Sequence, residues 1–150
     1  MEPIIDHIQI TVKDMKVAVP FYDKLLPLLG FDARSRVSVV IEEHDKHVVQ
    51  YEHPRLGFTI TSPRRAFVGD TMNRRKPGAL HHLAFKATSR AEVDSLHSEL
   101  QRIGVFVARF GEQGDATLSL EEVAAGSETI PYEIMCTIGK RVTRIYVRSG

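Results

Sequence analysis

The chain carries one punctuated segment twice, and this repetition constrains its fold more than any other feature. A strand-like run, Asp6-His7-Ile8-Gln9-Ile10-Thr11-Val12, is answered by His81-His82-Leu83-Ala84-Phe85-Lys86-Ala87, with His82 standing 75 positions after His7. Each run leads into an amphipathic helical stretch that stops at a glycine, Gly30 lying 23 residues after His7 and Gly104 lying 22 after His82. A period this long with matching punctuation marks a duplicated supersecondary unit. Two related modules place two equivalent histidines symmetrically.

In the first run, Ile8, Ile10 and Val12 point one way while His7, Gln9 and Thr11 point the other, as a period of two requires. Asp14 then serves as an N-cap for a helix whose apolar stripe is Val17, Phe21, Leu25 and Leu29, broadened by Ala18, Tyr22 and Leu26. Pro20 suits a first turn best, so this helix is expected to begin late or to bend there. Arg36 to Ile41, His47 to Glu52 and Gly57 to Thr61 read as three strands of a meander. Module one is thus 1–62, followed by a turn-rich linker over 63–78.

Module two, 79–150, repeats the order. Leu83, Phe85 and Ala87 form the apolar face of its opening strand, with His82, Ala84 and Lys86 opposite. Ser89-Arg90-Ala91-Glu92 is a capping-box signature, followed by Val93, Leu96, Leu100 and Ile103 at helical spacing. Val105 to Phe110, Tyr132 to Ile138 and Thr143 to Arg148 supply three strands, with Gly139-Lys140 as a hairpin turn. The modules differ over 111–131, where a second capping-box pattern opening at Ser119 suggests an inserted helix, either a lid over a ligand site or a solvated loop.

Composition excludes several functions. Twenty basic residues against 19 acidic ones give no field for nucleic acid or a membrane surface. No apolar run approaches the roughly 20 residues of a membrane span. The single Cys136 has no disulfide partner within the chain and no secretory signal opens the sequence, so a reducing cytoplasm is the expected location. Walker, dinucleotide, nucleophile-elbow and Cys-x-x-Cys motifs are absent. Cys136, within an apolar strand, reads as an inert buried thiol. The basic group Arg64, Arg65, Arg74, Arg75 and Lys76 reads as a solvated linker, or else as an anion-binding rim.

The opening Asp6 to Val12, the helix with Phe21-Tyr22 and Leu29-Gly30-Phe31, and the second opening Pro77 to Phe85 resemble the vicinal oxygen chelate superfamily, which includes glyoxalase I, bleomycin- and fosfomycin-resistance proteins and extradiol dioxygenases. That resemblance implies an α+β fold of two βαβββ modules in one glyoxalase-like domain. Their mixed sheets would curve into a partly closed cup with the helices outside, in a homodimer. It also implies a divalent metal held by inward-facing residues, with substrates that chelate it through adjacent oxygens.

His7 and His82 are the expected metal ligands, because neutral imidazole suits Zn, Ni, Fe or Mn and both lie opposite the apolar faces. The alternative is a histidine hydrogen-bonded in a polar pocket. His81 faces the other way, and His44, His47, His53 and His97 read as surface or loop residues. The family usually adds a carboxylate from a module's last strand, yet matching those strands sets Thr59 and Tyr146 at that position. A hydroxyl is a poor ligand at neutral pH, and tyrosine must first lose a proton near pH 10. Glu133 offers a substitute if its strand is shifted by one so that it reaches inward, and is otherwise an exposed glutamate; by parity it shares a face with Met135, opposite to Tyr132 and Ile134. Three readings follow. One is a metal-dependent enzyme of glyoxalase or dioxygenase type, acting on a small oxygenated molecule with Tyr146 or Glu133 completing the site. Another is a metal-free binding protein of bleomycin-resistance type, in which Gln9, Thr59 and Tyr146 anchor a small organic ligand. A third is a structural or regulatory descendant without a ligand.

Overall fold

The computed structural model describes residues 4–70, 77, 78, 80, 82–103, 106–109, 133–138 and 141–148. The chain divides after Asp70 into two compact units.

The first unit runs β1 (His7–Thr11), α1 (Met15–Leu28), β2 (Asp32–Ile41), β3 (Lys46–Glu52) and β4 (Gly57–Thr61). Its four strands lie in the order β1-β4-β3-β2. β1 and β4 are parallel and the other two pairs antiparallel. Asp14 caps α1 as expected: its backbone is extended and its carboxylate accepts from the Lys16 N–H at 2.8 Å. Pro20 does not delay the helix, which begins at Met15 and runs through both Pro20 and Pro27. The Ala18 N–H still meets the Asp14 carbonyl at 2.9 Å, so the first turn is already regular. Past the helix end, Gly30 takes a φ of 89°, a left-handed conformation that costs glycine nothing.

The inward face of α1 is Phe21, Tyr22, Leu25 and Leu26, all buried. The sheet residues that complete this core are Ile10, Val49, Tyr51, Phe58 and Ile60. Tyr22 joins the two layers, its ring centroid 5.0 Å from Phe21 and 5.3 Å from Phe58. Burying a side chain such as Leu25 contributes about 1.5–3 kcal/mol. At the helix edge the Tyr51 hydroxyl donates to Asp23 Oδ1 at 2.8 Å, and Arg36 Nε meets the same oxygen at 2.9 Å. Burial raises the pKa of both Tyr22 and Tyr51, and for Tyr51 the bond to Asp23 adds to it.

The second unit runs β5 (His82–Lys86), α2 (Arg90–Arg102), β6 (Phe106–Arg109), β7 (Glu133–Ile138) and β8 (Arg141–Arg148). The capping box is present in modified form. Ser89 Oγ accepts from the Glu92 N–H at 3.1 Å, while the Glu92 carboxylate reaches Thr88 rather than Ser89, accepting from its N–H at 2.6 Å and its hydroxyl at 2.7 Å. Val93 and Leu100 are buried beneath the helix.

Strand order in the second sheet is β5-β7-β8-β6, and this corrects the expected equivalence of the two modules. In the first sheet the module's last strand, β4, lies beside the opening strand; in the second, β7 takes that place and β8 stands between β7 and β6. The segment Arg144 to Val147 is therefore not the counterpart of Gly57 to Thr61. A period of two fixes which face a residue occupies, but either strand of a hairpin can occupy the slot beside the opening strand.

Both units are βαβββ with a mixed sheet, a glyoxalase-like α+β fold. Of the linker, a short 3₁₀ turn at Arg65–Phe67 is described, with Arg65 Nε on Asp45 Oδ1 at 3.1 Å. The expected inserted helix within 111–131, the Gly139-Lys140 turn, His81 and the basic residues Arg74, Arg75 and Lys76 lie outside the described residues. Among those residues, no helix is long and apolar enough to cross a membrane.

Candidate functional site

Alternation along three neighbouring strands builds the polar face of the first sheet. Core packing uses Ile10 from β1, Val49 and Tyr51 from β3, and Phe58 and Ile60 from β4. The intervening residues therefore emerge on the other side: His7 and Gln9, Val48, Gln50 and Glu52, Gly57 and Thr59. Register brings them together, since Gln9 stands opposite Thr59 on one side and Gln50 opposite Thr59 on the other. Gln50 Nε2 also donates to Glu52 Oε1. These seven residues line one open concavity of about 1060 Å³, walled further by Ile4, Ile5, Asp6 and the turn from His53 to Leu56.

His7 is held at the rim of this concavity. Its Nδ1 lies 2.8 Å from Asp6 Oδ2. A carboxylate only accepts, so Nδ1 carries the proton, and in the neutral imidazole Nε2 keeps its lone pair, able to accept a hydrogen bond or to ligate. Directly across the parallel ladder from His7 stands Gly57, whose N–H donates to the Asp6 carbonyl at 2.9 Å. A Cβ at Gly57 would come within 3.1 Å of the His7 Cβ. Glycine at this position gives the imidazole its room.

The expected pocket residues Gln9 and Thr59 are thus neighbours, with His7 two residues along the same strand face. Asp6, Gln50, Glu52 and Gly57 were not anticipated. The alternation of His47 to Glu52 carried the signal for Gln50 and Glu52, whereas Asp6 and Gly57 matter through a side-chain bond and a cross-strand approach that periodicity does not report. His53, expected as a loop residue, lines the concavity and packs its ring 5.3 Å from Phe31. His47, expected at the surface, is half-buried, with Nε2 2.9 Å from the Ser38 hydroxyl.

In the second sheet, register places His82 opposite Glu133 and Ala84 opposite Met135. Residues paired across a ladder share a face, so Glu133 lies on the His82 face. Met135 is opposite Arg144, and Tyr146 is opposite Ala108, which puts Tyr146 on that same face but one strand farther from His82. The position corresponding to Thr59 is Met135, not Tyr146, and the position corresponding to Gly57 is Glu133.

A family model for the Glyoxalase/Bleomycin resistance protein/Dioxygenase superfamily matches residues 4–119. The chain belongs to that superfamily. Solved structures agree on the fold. A Bacillus halodurans protein provisionally designated a glyoxalase is 22% identical, with a TM-score of 0.59 over 97% of this chain and 96% of its own. A glyoxylase/bleomycin resistance protein/dioxygenase domain from Frankia sp. EAN1pec is 20% identical, with a TM-score of 0.52 over 75% and 81%. A mutant of the fosfomycin resistance protein FosX from Listeria monocytogenes, complexed with Mn(II) and 1S,2S-dihydroxypropylphosphonic acid, is 19% identical, with a TM-score of 0.50 over 77% and 79%.

A different similarity runs alongside. Alanine racemase 1 of Bacillus subtilis is 29% identical over 91% of this chain, and alanine racemase of Geobacillus stearothermophilus is 48% identical over 46 residues, 31% of the chain. The chain spans only 36% and 12% of the lengths of these racemases. The superfamily match ends at residue 119, so β7 and β8 lie beyond it.

Superfamily membership raises the question of a divalent metal. Among the described residues no three His, Cys, Asp or Glu side chains cluster as a metal site would need. The concavity on the first sheet is lined by His7 and His53 and by the carboxylates of Asp6 and Glu52, but these do not converge into a metal cluster, and the amides and hydroxyl among them are poor ligands for Zn or Ni. In the second sheet His82 stands opposite Glu133 in the register, two residue types that can ligate where three are customary.

Proposed function

We propose that the protein binds a small oxygenated organic molecule on the polar face of its first sheet. The observation that carries this reading is the row of His7, Gln9, Thr59 and Gln50 across three adjacent strands, lining one concavity. Amides donate and accept, a hydroxyl does both, and His7 Nε2 accepts, so the row matches a ligand bearing several hydroxyl, carbonyl or carboxyl oxygens. The apolar wall of Ile4, Ile5, Val48 and Leu56 would take the ligand's carbon skeleton. In this reading the protein acts as a binding protein of bleomycin-resistance type.

A second reading, favoured by the register of His82 against Glu133, is a metal-dependent lyase or dioxygenase acting on a similar molecule. His82 and His7 would be ligands, with Glu133 or Tyr146 serving the reaction, and the metal would polarise the substrate oxygens. The FosX relative, with its Mn(II) and a dihydroxylated phosphonic acid, gives a chemical precedent for such a pairing.

Metal content by inductively coupled plasma mass spectrometry on untagged protein separates the two, with His7→Ala and His82→Ala beside the wild type. The binding-protein reading expects no stoichiometric metal after reconstitution with Zn, Ni, Mn or Fe(II), together with calorimetric binding of polyoxygenated compounds that His7→Ala weakens. One equivalent of metal, lost in both variants, would replace it with the enzyme.

A further inference from the structure

A second hollow lies across the first sheet from the polar concavity, on the side covered by α1. It measures about 210 Å³ and is lined by Asp23 and Pro27 of α1, by Phe31, Ala33 and Arg36, and by Tyr51 of β3. Its origin is a bulge in β2. Asp32 pairs with Glu52 and Val37 with Gln50, so Ala33, Arg34, Ser35 and Arg36 together stand against the single residue Tyr51. The extra chain is tied down locally: the Arg34 N–H donates to Asp32 Oδ1 at 2.9 Å, and the Ser35 hydroxyl to the Asp32 carbonyl at 2.8 Å. Bulges re-aim side chains, and this one turns Arg36 toward α1, where its Nε lies 2.9 Å from Asp23 Oδ1. The same oxygen accepts from the Tyr51 hydroxyl at 2.8 Å.

Charge and shape define what this hollow accepts. Asp23 and Arg36 cancel in net charge, and Tyr51 stays neutral because burial, reinforced by its bond to Asp23, raises its pKa. Arg36 spends Nε on Asp23, and its guanidinium fork keeps donors for a further acceptor, which a carboxylate meets with two parallel bonds. Phe31, Pro27 and the Ala33 methyl make the remaining wall apolar, so a fully hydrated anion gains nothing from it. An apolar cavity of about 150 Å³ holds benzene. The space here admits such a ring with a carboxylate attached and is too small for drug-sized ligands, whose pockets span about 300–1,000 Å³. We propose that this hollow is a second binding site, separate from the polar concavity, for a small aromatic monocarboxylate whose carboxylate meets Arg36 and whose ring lies against Phe31 and Pro27.

Fluorine NMR titration of 4-fluorobenzoate into the full-length protein tests this. A Kd of about 0.1–1 mM is expected, the range open to a ligand of about ten non-hydrogen atoms. Phe31 also packs on His53, which lines the concavity, so the discriminating variants are placed elsewhere. Arg36→Gln, and Ala33→Leu at an exposed position on the rim, should each raise Kd about tenfold or more with unchanged far-ultraviolet circular dichroism. Fluorobenzene should bind about tenfold more weakly, inorganic phosphate should not compete, and His7→Ala should leave the titration unchanged. Absence of binding up to about 10 mM, affinity retained in Ala33→Leu, or affinity lost in His7→Ala overturns the site. Affinity retained in Arg36→Gln, or fluorobenzene bound as well as the acid, overturns the role of the carboxylate, and displacement by phosphate overturns that of the apolar wall. Should Arg36→Gln lose its fold, Ala33→Leu and fluorobenzene decide the matter.

Discussion

His7 and His82 occupy the same place in two related sheets and meet opposite neighbours. Both open the first strand of their unit, and both stand across a parallel ladder from the first residue of the adjacent strand. For His7 that residue is Gly57, which offers no side chain; for His82 it is Glu133, a carboxylate. A repeat in the sequence therefore does not make a repeat in chemistry. At the first position the histidine has no side chain across the ladder, while at the second a histidine and a glutamate share one register position. The difference arises from which strand lies next to the opening one. In the first unit it is the last strand, and in the second it is β7, from the part of the chain beyond the superfamily match.

The comparison breaks most severely if the second unit is not a packed module of the same kind as the first. Leu25 of α1 and Leu100 of α2 are each 1% exposed and occupy corresponding inward positions on the two helices. Truncation to alanine at a fully buried leucine costs about 2–5 kcal/mol through lost transfer free energy and the cavity left behind. Leu25→Ala and Leu100→Ala should each lower urea stability by an amount in that range. A cost at Leu100 well below the cost at Leu25 would mean that α2 closes no comparable core, and the parallel between the modules would fail.

The local elements were largely legible because each rests on a short-range period. β1, β4 and α1 follow from alternation and from the stripe of Phe21, Leu25 and their neighbours, and the caps at Asp14 and Ser89 follow from side chains that bond nearby N–H groups. Pro20 does not delay the start of α1, since the packing of the buried face outweighs a penalty read from one residue. Strand neighbours were not legible. Tyr146 was matched to Thr59 because each lies on the last strand of its module, and order along the chain says nothing of order across a sheet. The pairing of His82 with Glu133 is a fact of register, and only parity, the statement that Glu133 shares a face with Met135, was available beforehand.

Gly57→Ala sharpens the contrast between the two histidines at moderate cost. The added Cβ would sit 3.1 Å from the His7 Cβ, closer than ordinary contact, so β1 or the imidazole must shift by a few tenths of an ångström. Because glycine itself weakens a strand interior, stability should change little. Ligand affinity on the polar face should fall about tenfold, equivalent to about 1.4 kcal/mol, as the His7 acceptor leaves its alignment with Gln9 and Thr59. Titration calorimetry alongside thermal melting reads both quantities. Unchanged affinity would show that the space beside His7 does not set the site.

The smallest expected effect concerns how the two helices begin. α1 has one side-chain capping bond, from the Lys16 N–H to the Asp14 carboxylate, and no acidic residue in its first turn. α2 has Glu92 in its first turn, and the bond from the Thr88 N–H, followed by that from the Thr88 hydroxyl, lowers the Glu92 pKa below its ordinary value of 4.5. A carboxylate with a lowered pKa in the folded state adds stability above the unfolded value and loses it as pH falls through the folded one. Glu92→Gln should therefore reduce the melting temperature slightly at pH 7, and the difference from wild type should shrink below pH 4.5 and vanish once both forms are uncharged. Asp14→Ala, which removes a bond of the same kind, costs about 1 kcal/mol by the usual worth of an N-cap and serves as the reference for α1. A Glu92→Gln deficit that persists unchanged into acid would assign the role of Glu92 to its shape and not its charge, and would remove the electrostatic distinction between the two helix starts.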